Sequence, residues 1–236
     1  MLYLIGLGLG NVKDLTLRGL EVARNCKCYA ELYTSKTVRA DEISAILGRH
    51  VTELKRSDLE EDVQRLIDEA RMHDVAVFVP GDPLAATTHI DLVIEARQKG
   101  IPVEIVHNAS IFSAVAETGL QLYKFGRTAT VPFSAKLGSV TDALKMNRKA
   151  GLHTLLLLDL DASMGIYMSP GDALKILVKG KALKEKDLVI VAARFGTAPS
   201  IKYGEAKKLY DFKETPGIVV VPGKLHFREK DFLKLI

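Results

Sequence analysis

Apolar residues in this chain fall into short continuous runs, separated by longer stretches in which they recur every three or four positions. The runs Leu2–Ile5, Tyr29–Tyr33, Val51–Leu54, Val75–Val79 and Val103–Val106 predict β-strands. The spaced stretches predict helices. One covers Asp14–Asn25, with Leu15, Leu17, Leu20 and Val22 as its apolar positions, and one covers Val38–Leu47. A third is capped by Ser57 or Asp58 and runs to Met72, with Leu59, Val63, Leu66 and Ile67 on one face. A fourth, Asp91–Lys99, stops at Gly100. Strands that are apolar along their whole length and alternate with helices imply a parallel sheet covered on both faces.

A small-residue helix, Ser110–Thr118, ends at Gly119, and the rhythm restarts around Tyr123–Arg127. Thr128–Val131, His153–Leu158, Leu188–Ala193 and Gly217–Val221 then predict strands. Helices are expected over Val140–Lys149, over Ser169–Val178 with Pro170 in its first turn, and over Glu205–Leu209. The expected fold class is α/β, in two domains spanning 1–118 and 119–236, with the boundary falling near 115–125.

A chain of 236 residues can bury a substantial core. Its formal net charge of +4 is mildly basic, but no basic tract or basic–aromatic alternation points to nucleic acid. No apolar run approaches the ~20 residues that span a bilayer. Met1 leads straight into a strand, so neither a membrane segment nor a secretory leader is expected. Cys26 and Cys28 read as two reduced thiols of a cytoplasmic protein, because a disulfide at that spacing is strained and no further cysteines complete a zinc set.

The richest segment is Val79-Pro80-Gly81-Asp82-Pro83-Leu84-Ala85-Ala86-Thr87-Thr88-His89. A buried strand stops at Pro80 and opens into a tight acidic turn, followed by small residues that let a ligand approach the backbone. The carboxyl ends of parallel strands are where α/β proteins place ligands. The glycines Gly6, Gly8 and Gly10, after the first strand, point to the same kind of site. They do not form the dinucleotide fingerprint Gly-x-Gly-x-x-Gly, whose last position is Asn11 in one register and Lys13 in the other. A nicotinamide enzyme is therefore disfavoured, although Glu31 stands where such folds carry a ribose-binding carboxylate.

Gly6-x-Gly8-x-Gly10 with Leu15-Thr16, together with Pro80-Gly81-Asp82-Pro83, resembles the tetrapyrrole methylase superfamily, which uses S-adenosylmethionine. Within it the closer resemblance is to the diphthine synthase family. It is carried by Ala30-Glu31-Leu32-Tyr33-Thr34-Ser35, Gly81 to His89, Ser110-Ile111-Phe112-Ser113-Ala114-Val115, Tyr123-Lys124-Phe125-Gly126, Gly151-Leu152-His153-Thr154-Leu155-Leu156 and Val221-Pro222-Gly223-Lys224-Leu225-His226. These segments span the whole chain. The resemblance implies two α/β domains with the cofactor in the cleft between them, and a homodimer in the cytoplasm. It implies N-methylation of the modified histidine, an aminocarboxypropyl group, of translation elongation factor 2. By matching position it implies cofactor contacts from Leu9, Asp82, Ala85, Ser110, Ile111, Leu158, Phe195 and Gly217; by ligand count no metal is expected.

Read from the residues alone, Leu9, Ile111, Leu158 and Phe195 offer apolar walls, and Asp82 offers one charge. Asp82 as a turn residue bonding its own backbone is the plainer alternative, as is Leu158 as a core strand residue. His89 is expected in the first turn of its helix, supporting the loop. His107 and His226 are candidates to face the cleft, although a single histidine is more often structural. Asp159 and Asp161 resemble an acid pair without a third ligand. Tyr123 and Lys124 fit either a linker or a contact with a protein substrate. No residue is singled out as a general base. Two alternatives to the implied activity are a methylase acting on a corrin or porphyrin precursor, and a non-catalytic partner-binding module.

Overall fold

The apolar runs of the first half pair in parallel. A computed structural model describes residues 1–35, 38–60, 62–161 and 164–236. The chain divides into two units, Met1–Phe112 and Ser113–Ile236. The first unit contains β1 (Leu2–Gly6), α1 (Leu17–Ala23), β2 (Lys27–Glu31), α2 (Ala40–Leu47), β3 (Val51–Leu54), α3 (Arg56–Glu60), α4 (Val63–Met72), β4 (Val75–Val79), α5 (Ile90–Gln98) and β5 (Val103–Val106). A short helix, α6 (Ile111–Ala114), carries the chain onward.

The strands form one sheet in the order β3-β2-β4-β1-β5, with β4 at its centre. All four ladders are parallel, with Leu4 opposite Val77 on β4 and Ile105 on β5. Every residue of β4 is buried. Val75, Val77 and Val79 pack on one face with Leu66, Ile67, Leu92, Val93 and Ala96 of α4 and α5. Ala76 and Phe78 pack on the other with Ala23 of α1 and Ile43 of α2. The two-residue side-chain period thus feeds two cores, each large side chain contributing about 1.5–3 kcal/mol on burial. This is the doubly covered parallel sheet that the sequence predicts.

The second unit contains β6 (Ala129–Val131), α7 (Gly138–Ala150), β7 (Thr154–Leu158), β8 (Leu160–Asp161), β9 (Ile166–Tyr167), α8 (Pro170–Lys179), β10 (Leu188–Ala193), β11 (Ser200–Glu205), β12 (Gly217–Val221) and α9 (Phe227–Leu233). Its main sheet runs β11-β10-β12-β7-β6. In that sheet the β6–β7 ladder is parallel and the other three are antiparallel. Val189, Val191 and Ala193 of β10, with Val219 and Val221 of β12, form a core with Val140, Ala143 and Leu144 of α7 and Ala173, Leu174 and Leu177 of α8.

Several elements differ from the sequence expectation. The predicted Asp14–Asn25 helix starts late, because Thr16 caps it by accepting a hydrogen bond from the Gly19 N–H (3.0 Å). Asp14 belongs instead to a separate 3-10 turn, Val12–Asp14. The helix predicted through Met72 is split into α3 and α4, with Asp62 heading the second piece and Glu61 outside the described residues. Ser110–Thr118 is only one α-turn, α6, followed by a 3-10 turn that ends at Gly119. The β8–β9 hairpin, edge strand β11 and helix α9 have no counterpart in the sequence reading, while Glu205–Leu209 yields a 3-10 turn over Ala206–Leu209.

Candidate active site

In a parallel sheet every strand delivers its following loop to the same edge. In the first unit that edge carries the glycine loop after β1, the Glu31–Thr34 turn after β2, the Gly-Asp-Pro turn after β4 and His107–Ser110 after β5. The structure therefore brings Leu9, Asp82, Ala85, Ser110 and Ile111 to one edge.

The glycine loop and the acidic turn are joined directly. Gly8 and Gly81 form an isolated antiparallel bridge, and Gly8 and Gly81 have φ values of +75° and +69°. Gly6 makes the approach possible, since a Cβ there would lie 2.6 Å from the Gly81 carbonyl oxygen. Asn108, which the sequence reading overlooks, holds this assembly together. Its Nδ2 donates to the carbonyls of Gly6 (2.9 Å) and Asp14 (3.0 Å), and its Oδ1 accepts from the Ala109 N–H (2.8 Å). Asp14 accepts in turn from the Gly10 N–H at 2.7 Å.

Asp82 is tied into the same edge. Oδ1 accepts from the Leu84 N–H (3.0 Å), the turn-capping bond anticipated for such a residue. Oδ2 lies 2.7 Å from His107 Nδ1 and accepts from the Asn108 N–H at 3.2 Å. Burial opposes its charge, but the bonds from Leu84, His107 and Asn108 outweigh that and hold the carboxyl below the ordinary range. Ser110 Oγ accepts from the Phe112 N–H (3.2 Å) and heads α6.

Glu31 does not present a carboxylate to a ribose. It is fully buried and turned into its own following turn, accepting from the Thr34 N–H and hydroxyl, both at 2.9 Å. Burial pushes its carboxyl up to about 7, although the Thr34 and Tyr33 bonds pull the other way. His89 stands at the head of α5, as expected of a loop support, with Nε2 3.7 Å from Glu31 Oε2. Burial lowers its imidazole, outweighing the Pro83 carbonyl.

In the second unit, Leu158 ends β7, Phe195 follows β10, and Gly217 opens β12 opposite Ala193. Ile218 pairs with Leu157, so all three residues lie at one end of the antiparallel sheet. Leu158 is partly buried against the core, and Phe195 is 6 % exposed. A Cβ at Gly217 would come within 2.6 Å of Pro170, so close packing of α8 on β12 requires glycine there.

At the opposite end of that sheet, three of the sequence segments meet in a network that the sequence reading did not foresee. Glu229 of α9 accepts from the Gln121 N–H (3.0 Å) and the His226 N–H (2.6 Å), and it pairs with Lys124 and with His153 Nε2 (3.0 Å). His153 Nδ1 accepts from the Gly223 N–H at 2.8 Å, which assigns the ring proton to Nε2. Lys124 is thus held in a structural network, whereas Tyr123 is 80 % exposed. His226 caps α9. Asp159 accepts from the N–H groups of Phe133 and Leu160, and Asp161 from that of Met164. Among the described residues, no cluster of His, Cys, Asp or Glu could hold a metal ion, and no helix is long and apolar enough to cross a membrane. Cys26 and Cys28 are both buried free thiols.

Comparison with known proteins places this geometry. The profile of the Tetrapyrrole (Corrin/Porphyrin) Methylases matches residues 1–209. Diphthine synthase of Methanococcus maripaludis (strain S2) is 41 % identical over 251 aligned positions, covering 100 % of this chain and 98 % of that one. Diphthine synthase of Methanocaldococcus jannaschii is 40 % identical, again covering 100 % and 98 %. A crystal structure of diphthine synthase superposes with a TM-score of 0.93 at 39 % identity, covering 99 % of this chain and 94 % of its own. The chain belongs to the tetrapyrrole methylase family and, within it, to the diphthine synthases.

Proposed function

We infer that this chain is an S-adenosylmethionine-dependent methyltransferase, a diphthine synthase, that N-methylates the aminocarboxypropyl-modified histidine of translation elongation factor 2 on the way to diphthamide. The observation that carries this reading is kinship at about 40 % identity along the full chain with diphthine synthases. The same reading makes the protein a cytoplasmic homodimer.

The residues present fit the cofactor. A Cβ at Gly81 would meet nothing closer than the Ala109 carbonyl oxygen at 3.8 Å, so no atom crowds the backbone beside Asp82. Main-chain groups of Leu9, Ala85, Ser110 and Ile111 line a loop edge suited to adenine and an amino-acid end, and Asp82 adds one anionic group. Leu158, Phe195 and Gly217 are the proposed contacts from the second unit. When bound, S-adenosylmethionine supplies a methyl group already activated on a positive sulfur. The protein's task is to bind, to exclude water and to align an amine with that methyl, and alignment can contribute up to ~7–11 kcal/mol. The Gly8–Gly81 bridge and Asn108 tie the aligning loops to one another.

Two measurements test the reading. The melting temperature is expected to rise with S-adenosylhomocysteine and not with NAD, because a ligand stabilises the state that binds it. Labelled methyl is expected to pass to elongation factor 2 bearing the aminocarboxypropyl histidine. Cofactor binding without such transfer, or transfer to a tetrapyrrole instead, would reject the substrate.

A further inference from the structure

We propose that His107 is the proton acceptor for the incoming amine, aimed by Asp82; this rests on the methyltransferase reading above. The nucleophile is an alkyl amine, which at neutral pH is held mostly as the ammonium. Its lone pair is unavailable until a proton leaves. An acceptor must sit at the ligand-bearing edge, reach solvent, and carry a nitrogen or oxygen not already engaged.

Glu31, Asp159 and the other histidines described above each fail one of these requirements. Glu31 is fully buried and His89 is 5 % exposed. His153 uses both ring nitrogens, and Nδ1 of His226 caps α9 at the far end of the second sheet. Asp159 is committed to backbone N–H groups. His107 meets all three requirements. It follows β5 directly, next to Asn108, which stitches the glycine loop. Its side chain is 68 % exposed. Its Nδ1 lies 2.7 Å from Asp82 Oδ2. A carboxylate accepts but does not donate, so Asp82 fixes the proton on Nδ1 and leaves the Nε2 lone pair on the solvent side.

The step balances without any further reagent. The substrate ammonium gives one proton to His107 Nε2. The freed nitrogen lone pair forms the N–C bond as the C–S bond breaks, and that electron pair passes to sulfur, which becomes a neutral thioether. The imidazolium then returns its proton to water. Asp82 keeps its charge throughout and steadies the imidazolium while it exists.

The test combines the cofactor-free protein with single-turnover transfer to modified elongation factor 2. Nitrogen-15 spectra of the free protein are expected to show His107 with its proton on Nδ1; a proton on Nε2 overturns the proposal. His107→Ala is expected to slow methyl transfer by about 10²–10⁴-fold, and His107→Gln, which can bond Asp82 but cannot take a proton, to be equally slow. Affinity for S-adenosylhomocysteine stays within about threefold of the parent, and added imidazole restores part of the rate of His107→Ala. A rate within about threefold of the parent, recovery by His107→Gln, or a loss that imidazole leaves unchanged overturns it. If the parent itself transfers no methyl to elongation factor 2, the substrate reading falls and the proposal with it; if the parent transfers and His107→Ala does too, the proposal alone falls.

Discussion

Gly8 and Gly81 donate to each other's carbonyl, at 3.1 Å from Gly8 N and 2.8 Å from Gly81 N, and so join the loops that follow β1 and β4. The two glycines differ in what surrounds them. A Cβ at Gly8 would strike Asp14 Cβ at 2.7 Å, whereas at Gly81 it would make only ordinary contacts, none closer than 3.8 Å. Gly81→Ala is expected to lose only the ~1–2 kcal/mol of a left-handed alanine, while weakening S-adenosylhomocysteine binding about tenfold by adding a methyl group where the ligand approaches the backbone. Gly8→Ala is expected to lose more stability because a clash adds to the strain. Urea unfolding and calorimetry on both variants check this, and equal stability losses would contradict it.

Asp82→Ala removes the acceptor for the N–H groups of Leu84 and Asn108 and the partner of His107. Stability is expected to fall by about 1–3 kcal/mol, and methyl transfer to fall much further than that local loss explains. Turnover and product affinity measured together decide the matter. If neither changes, Asp82 does not belong to the site.

Glu31 gives the first unit a pH-dependent stability of predictable sign. Its carboxyl is raised from 4.5 to about 7 by burial. The folded state therefore favours the protonated form. The associated stabilisation, on the order of 3 kcal/mol, is fully present below pH 4.5, declines between 4.5 and 7, and is gone above 7. His89, lowered from 6.5, acts in the opposite sense, and its contribution fades as pH falls below 6.5. Glu31→Gln is expected to be more stable than the parent at pH 8 and to lose the decline between pH 5 and pH 8. Urea midpoints at those two pH values test it.

Glu229 works the other way. Burial alone would raise its carboxyl, but the Gln121 N–H, Lys124, the His226 N–H and His153 bring it down to about 2. Its contribution, on the order of 3 kcal/mol, is present above the ordinary 4.5 and is lost as pH falls towards 2. Glu229→Gln leaves Lys124 and His153 without their anion and is expected to cost about 3–5 kcal/mol at pH 7. Acid unfolding of the variant is expected to lose the transition that this carboxylate causes in the parent.

The strands of the parallel sheet were readable because each is apolar throughout, as β4 is over Val75–Val79. Placing Leu9, Asp82, Ala85, Ser110 and Ile111 on one edge follows from that parallelism. Edge strand β11 escaped notice because Ser200–Glu205 is partly exposed along most of its length and carries Lys202 and Gly204. Asn108 and Glu229 escaped for a different reason. A polar residue in a loop or on a short helix looks solvated until its partners, 102 and 76 positions away, are known. The break between α3 and α4 also lacked a signal, since Asp62 caps the second helix without a side-chain hydrogen bond.

The His153–Glu229 contact has a consequence for synthesis on the ribosome. All strands of the first sheet lie within Met1–Phe112, so that half can close while later codons are still being read. The second half cannot neutralise Lys124 or satisfy His153 until Glu229 has cleared the exit tunnel. A nascent chain stalled before that point is expected to carry a finished amino-terminal half joined to a protease-sensitive remainder.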